Sequence, residues 1–286
     1  MEAAVFVSPP AISETPAKLG ILAGSGALPR DLAHNCAEQG QPFFVIDLEG
    51  RASDWAAEFE HARLSLGQVG GALTALRKAG CDAVVMAGAV ERPNITSLRT
   101  DWTGVKLMPR FARAAASGDD GLLKALAGFF EEEGFRVLAP HAFMSADALA
   151  GDGVLAGSAS NADAMSEIAL GRAILDALAP FDIGQAVVVR KSRCMAIEGA
   201  EGTAEMLARI PMLGETGGTL VKAPKRGQDE RLDRPAIGPE TIRAATKAGL
   251  NMIAVESGGV FLLEREQLIR DANRVGLTLF GFEPNS

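Results

Sequence analysis

Short apolar runs alternate with stretches whose apolar residues recur every three or four positions, and this alternation sets the first half of the chain. Residues 18–23, 42–47 and 82–88 read as buried strands, and 135–138 as a shorter one. Between them, a helix starts at Leu28-Pro29, another runs over residues 70–79 to Gly80, and a third follows Ser117-Gly118-Asp119-Asp120 to Gly134. Residues 64–67 are only a short apolar–polar stretch. Strand, helix, strand in this order predicts a mainly parallel sheet covered on both faces, an α/β fold.

The pattern changes after residue 139. Residues 140–157 lack a period and contain the turn Gly151-Asp152-Gly153, so they are read as a linker. A helix over residues 161–178 follows. Two strands, 186–190 and 194–198, are close enough in sequence to pair as a hairpin, which points to a mixed α+β second domain. Helices over 203–209, 239–248 and 265–275 and strands near 251–256, 260–263 and 277–280 complete it. The predicted organisation is an arm (1–17), an α/β domain (18–139), the linker (140–157) and a mixed α+β C-terminal domain (158–286).

Charge and composition narrow the function. With 286 residues, 48% of them hydrophobic, the chain can bury two cores, and a net charge of −8 argues against a nucleic-acid binder. Cys36, Cys81 and Cys194 have no ligand spacing and fit a reducing cytoplasm; His34, His61 and His141 share none either. No secretory start and no apolar run of membrane-spanning length is present.

Three stretches carry candidate chemistry. Gly24-Ser25-Gly26 lies between a strand and a helix, where backbone N–H groups meet phosphate or ribose, although a tight turn alone explains it equally. Gly88 begins a second strand-end loop, with Arg92 in it, that lines the same crevice. Glu198-Gly199-Ala200-Glu201-Gly202-Thr203 offers two carboxylates and a hydroxyl as an acid–base or metal cluster, or a helix cap at Thr203. The densest stretch is 220–235. Lys222, Lys225 and Arg226 suit phosphate oxygens, Asp229 and Asp233 suit Mg²⁺ or a water, and a solvated charged loop is the alternative.

The segments Gly20–Pro29, Met86–Pro93, Asp182-Ile183-Gly184-Gln185, Glu201-Gly202-Thr203 and Gln228–Pro235 together resemble the LpxI-type UDP-2,3-diacylglucosamine pyrophosphatases. The resemblance runs in order over nearly the whole chain. It implies a Rossmann-like N-terminal domain, and Mg²⁺- (or Mn²⁺-) dependent hydrolysis to UMP and 2,3-diacylglucosamine 1-phosphate (lipid X) in lipid A synthesis, with water attacking the α-phosphorus. It also implies a homodimer in peripheral contact with the inner face of the inner membrane. The family's essential aspartate matches Asp229 best, with Lys222 and Gln228 as catalytic neighbours. Gly24, Ser25, Gly26, Gly88, Arg92, Thr203, Lys225 and Arg226 would bind substrate, and Asp229, Asp233, Glu198 and Glu201 would hold metal. This sequence has Ala204 where the family pattern has aspartate, so an inactivated variant or non-catalytic glycolipid-nucleotide binder is one alternative. A nicotinamide oxidoreductase using Asp47 is another, weakened by Pro29 where a third glycine is needed.

Overall fold

The computed structural model describes residues 15–90, 99–115, 118–158 and 162–284. In the first half, β1 (Leu19–Ala23), α1 (Leu28–Glu38), β2 (Phe43–Leu48), α2 (Ser53–Ala56), β3 (His61–Leu64), α3 (Val69–Ala79) and β4 (Ala83–Ala87) follow one another. Then come α4 (Trp102–Ala115), α5 (Asp119–Glu132) and β5 (Arg136–Val137). The five strands form one parallel sheet in the order β3-β2-β1-β4-β5. Strand order reverses between β1 and β4, so their carboxyl ends border the crevice where such sheets take ligands. β1 and β4 are buried along their whole length, as a central parallel strand covered on both faces must be.

The second half is built from β6 (Gly153–Ala156), α6 (Ala162–Leu178), β7 (Ala186–Arg190), β8 (Arg193–Ile197), α7 (Gly202–Arg209) and β9 (Thr219–Lys222). β10 (Ala236–Ile237), α8 (Pro239–Lys247), β11 (Met252–Glu256), β12 (Phe261–Leu262), α9 (Arg265–Val275) and β13 (Thr278–Phe282) complete it. Six strands make a mixed sheet, β6-β13-β11-β9-β7-β8, with β9, β11 and β13 parallel and β6, β7 and β8 antiparallel to their neighbours. β7 and β8 form the expected hairpin. β10 and β12 pair separately.

Beyond the short elements α2, β3 and β10, which the pattern reading does not contain, two elements depart from it. Residues 153–156, within the stretch read as a linker, are a strand on the edge of the second sheet, where β13 supplies the pairing that sequence could not show. Residues 102–115 form a helix despite Gly104 and Pro109 inside it. Both residues weaken a helical signal, but Gly104 packs against the backbone at Gly67, and the exposed face accepts the proline.

Candidate functional site

Three neighbouring strands deliver the central side chains to one rim of the second sheet. Lys222 ends β9 and pairs in register with Ala186 at the start of β7. Because β7 runs antiparallel to both neighbours, Gln185 just before it lies beside the end of β9 and the end of β8, where Glu198 follows. The backbone confirms the adjacency: Ala223 N–H donates to the Gln185 carbonyl at 3.0 Å, and Glu198 N–H to the Ala186 carbonyl at 2.9 Å. Gly184 has φ +50°, and a Cβ there would stand 2.2 Å from the Glu198 carbonyl oxygen, so glycine is needed for the close approach.

Two hydrogen-bonded groups meet at this rim. In the first, Lys222 Nζ donates to Thr203 Oγ1 at 2.7 Å, and Thr203 Oγ1 donates to Glu198 Oε1. Glu198 Oε2 also accepts from the Gln185 backbone N–H at 2.7 Å. In the second, Gln185 Nε2 and Gln228 Nε2 both donate to Asp233 Oδ2, at 2.8 and 2.6 Å, and Gln185 Nε2 also reaches Gln228 Oε1 at 3.1 Å. Gln185 belongs to both. Lys222 and Glu198 are 7% and 8% exposed, so a cation and an anion share a nearly dry site. Burial pushes the Lys222 ammonium below its ordinary pKa, while Glu198 and Asp233 pull it back up. Beside Lys222 and Thr203 opens a cleft of about 400 Å³, bordered also by Ala204, Leu207, Arg243 and Lys247.

The remaining site residues fall elsewhere. Asp229 faces Arg231, accepting from its Nη2 at 2.7 Å, its Nε at 3.0 Å and its backbone N–H at 3.1 Å. Those bonds, the guanidinium first, hold the Asp229 carboxyl below its ordinary pKa. Arg231 continues to Glu131 of α5 at 2.9 Å and to the Val137 carbonyl at 3.4 Å, so this pair ties the loop to the first domain. Glu201 pairs with Arg209 at 2.8 Å. Lys225 pairs with Asp182, and Arg226 with Asp176 at 3.1 Å, so both cations already have anionic partners. Thr203 is a first-turn residue of α7 rather than its cap; its hydroxyl serves Lys222 and Glu198.

Of the four carboxylates considered for metal, Glu198 and Asp233 flank Lys222, whereas Asp229 and Glu201 pair with Arg231 and Arg209. Among the described residues no three His, Cys, Asp or Glu side chains converge as a ligand set. Asp233, beside Lys222, takes its two side-chain donors, Gln185 and Gln228, on the single oxygen Oδ2. That suits an ion shared with a phosphate ligand, not one caged by protein.

In the first domain, Gly24, Ser25 and Gly88 are locked together. Ser25 and Ala89 form a bridge, with Ser25 N–H to the Ala89 carbonyl and the return bond both 2.9 Å. A Cβ at Gly24 would lie 2.5 Å from the Ala89 carbonyl oxygen, and one at Gly88 2.5 Å from that of Ser25. Gly26, at φ +96°, is exposed and its Cβ would meet nothing within 4 Å. Arg92 lies outside the described residues.

Two contributors were not singled out from sequence. Gln185 falls in the Asp182-Ile183-Gly184-Gln185 segment with no role assigned to it from sequence; a polar residue directly flanking an apolar run is its signal. Arg172, 4% exposed, lies between buried Ile168 and Leu175 on α6. It stands 2.7 Å from Glu256 and donates to the Pro224 carbonyl at 3.3 Å, bracing the loop from beneath. Burial raises the Glu256 pKa, with Arg172 opposing. A lone arginine on an apolar helical face marks such a strut.

The chain resembles known proteins along its length. Residues 18–146 match the LpxI N-terminal domain and residues 151–280 the LpxI C-terminal domain. It is 37% identical over 275 residues to the UDP-2,3-diacylglucosamine pyrophosphatase LpxI of Caulobacter vibrioides, covering 93% of this chain and 98% of that protein. Among solved structures it is similar to CobK precorrin-6A reductase, with TM-score 0.31 and 17% identity over 93% of this chain and 88% of that one. An isoflavone reductase follows, with TM-score 0.26 and 13% identity over 94% and 79%. Both likenesses are too slight to bear on the fold or the chemistry. Two domain matches that together span nearly the whole chain, and a relative matched over nearly its full length, place this protein in the LpxI family.

Proposed function

We propose that the chain is a hydrolase that cleaves the pyrophosphate bond of UDP-2,3-diacylglucosamine, releasing UMP and 2,3-diacylglucosamine 1-phosphate for lipid A synthesis. The observation that carries this reading is Lys222, a buried cation bonded to Thr203 and flanked by Glu198 and Asp233, at the mouth of a cleft. Pyrophosphate cleavage needs charge neutralised on phosphoryl oxygens in a site poor in water, and a buried ammonium provides it. Thr203 and Glu198 fix the direction of that ammonium. Gln185 and Gln228 fix the plane of Asp233, leaving Oδ1 to accept a proton from an attacking water or to orient it.

A requirement for Mg²⁺ or Mn²⁺ belongs to the same reading, with Asp233 as the ligand the chain offers. Such an ion neutralises charge on the phosphates it shares. Attack at the α-phosphorus places solvent ¹⁸O in UMP; label in the sugar phosphate moves the attack to the β-phosphorus. The reading further includes a homodimer and a cytoplasmic protein in peripheral contact with the membrane. Among the described residues, no helix is long and apolar enough to cross a membrane.

Release of UMP from the diacylated substrate by the purified chain tests the reading. Lys222→Met and Asp233→Asn should each lose it. A chain that binds the substrate but releases no UMP with added Mg²⁺ or Mn²⁺ is a binder. Ala204, on the cleft wall, is the position that reading would point to.

A further inference from the structure

Helix α4 turns one face inward and leaves the other uncovered. Inward, a Cβ at Gly104 would lie 2.1 Å from the Gly67 carbonyl oxygen, so the helix rests directly on backbone. Asp101 locks it there, accepting from Gly104 N–H and Gly71 N–H, both at 2.7 Å. Outward, Trp102, Val105, Lys106, Pro109 and Arg113 are all exposed and recur at three- and four-residue steps, which makes one stripe. Trp102 is 73% exposed and Val105 48%.

The stripe has a charge sign opposite to that of the molecule. α4 contains Lys106, Arg110 and Arg113 and no acidic residue, in a chain of net charge −8. Arg110 is engaged by Glu132 at 2.6 Å, whereas Lys106 stands 5.5 Å from the Trp102 ring centre. An exposed tryptophan flanked by cations is the pairing that settles at a headgroup layer: the indole enters the boundary and the cations meet lipid phosphates. Pro109 offers no N–H to the Val105 carbonyl, and a carbonyl without that partner favours a shallow contact in which water can reach it. The position also fits. Thr100 bridges Gly67, just past the end of β3, so α4 begins at the same carboxyl edge of the sheet as the Ser25–Ala89 crevice.

We propose that the Trp102–Val105–Lys106–Pro109–Arg113 stripe is the face by which this protein lies on an anionic lipid surface, with its ligand crevice opening near that surface. This deepens the reading of a diacylated substrate and rests on it for its purpose. Binding to vesicles without substrate is measured separately from hydrolysis, so either can fail alone.

Trp55→Phe leaves Trp102 as the single tryptophan. With vesicles of mixed phosphatidylglycerol and phosphatidylcholine, Trp102 emission should shift to the blue and the protein should float with the lipid. Pure phosphatidylcholine should do neither, and added salt should weaken the effect. Lys106→Glu with Arg113→Glu should reduce vesicle binding about tenfold or more, while hydrolysis of detergent-dispersed substrate is unchanged. Emission and flotation indifferent to anionic lipid overturn the proposal. So does a blue shift that follows protein concentration without vesicles, which would assign the stripe to a second copy of the chain.

Discussion

Gln185 and Asp233, 48 residues apart, meet through a 2.8 Å hydrogen bond at the rim of the second sheet, and Gln228 reaches the same oxygen from within the loop at 2.6 Å. Asp229, four residues earlier than Asp233, faces away to Arg231. Asp233→Ala should therefore abolish hydrolysis, with kcat falling three or more powers of ten, about 4 kcal/mol of transition-state stabilisation. Asp229→Ala should retain most of kcat and lower stability instead. Steady-state UMP release and urea unfolding on both variants decide it. The reverse ranking would put the chemistry at Asp229, the sequence-level choice.

The glycine crevice separates packing from binding. Gly24→Ala and Gly88→Ala drive a Cβ against backbone oxygens at 2.5 Å, and Gly88 adds φ +87°. Each should cost on the order of 1–3 kcal/mol. Gly26→Ala meets no atom and bears only its backbone strain, roughly 1 kcal/mol or slightly more. If the loop holds the uridine nucleotide, Gly26→Ala weakens UMP binding in calorimetry while the fold survives. Unchanged UMP affinity in that variant removes the loop from the site.

The strands and helices with strong apolar periods were legible from sequence: β1 and β4 because burial on both faces writes itself into the residues, and the β7–β8 hairpin because buried β7 is followed by its partner after only two residues. α4 was not, since Gly104 and Pro109 look like breakers until the Gly67 contact is known. β6 was not, since four residues between turns have no signal without β13 beside them. The site was half legible. Lys222, Thr203, Glu198 and Gln228 were singled out and do meet. Which aspartate joins them depends on the turn after Pro224, where Leu232 and Asp233 N–H groups both bond the Asp229 carbonyl, at 2.9 and 3.4 Å. That winding sends Asp229 toward the first domain and Asp233 toward Gln185, and no local sequence rule specifies it.

Acid should loosen the tie between loop and first domain. Hydrogen bonds from Arg231 hold Asp229 below its ordinary pKa in the folded protein. Its contribution is thus fully present above the unfolded value, about 4, and is lost as pH falls through the lower folded value. The stability difference between the parent chain and Asp229→Asn, from urea unfolding, should shrink as pH drops below about 4. A difference constant with pH would mean the Arg231 pair contributes no charge-dependent stability.

Lys222 should set an alkaline limit. Burial lowers its folded pKa beneath the ordinary lysine value, with Glu198 and Asp233 only partly opposing. The folded state then binds fewer protons than the unfolded one between that lowered pKa and the ordinary value, so stability rises with pH across this window. Below it, the buried charge weighs fully against folding. Catalysis runs the other way, because phosphate stabilisation needs the ammonium. Log kcat/KM should therefore decline with rising pH before an ordinary lysine would titrate, while stability relative to Lys222→Met increases. Lys222→Arg keeps its charge at every accessible pH. It should lose the alkaline decline even if its longer, planar head costs rate by misplacing Thr203. The same decline persisting in Lys222→Arg would assign it to another group and leave Lys222 a structural partner of Glu198.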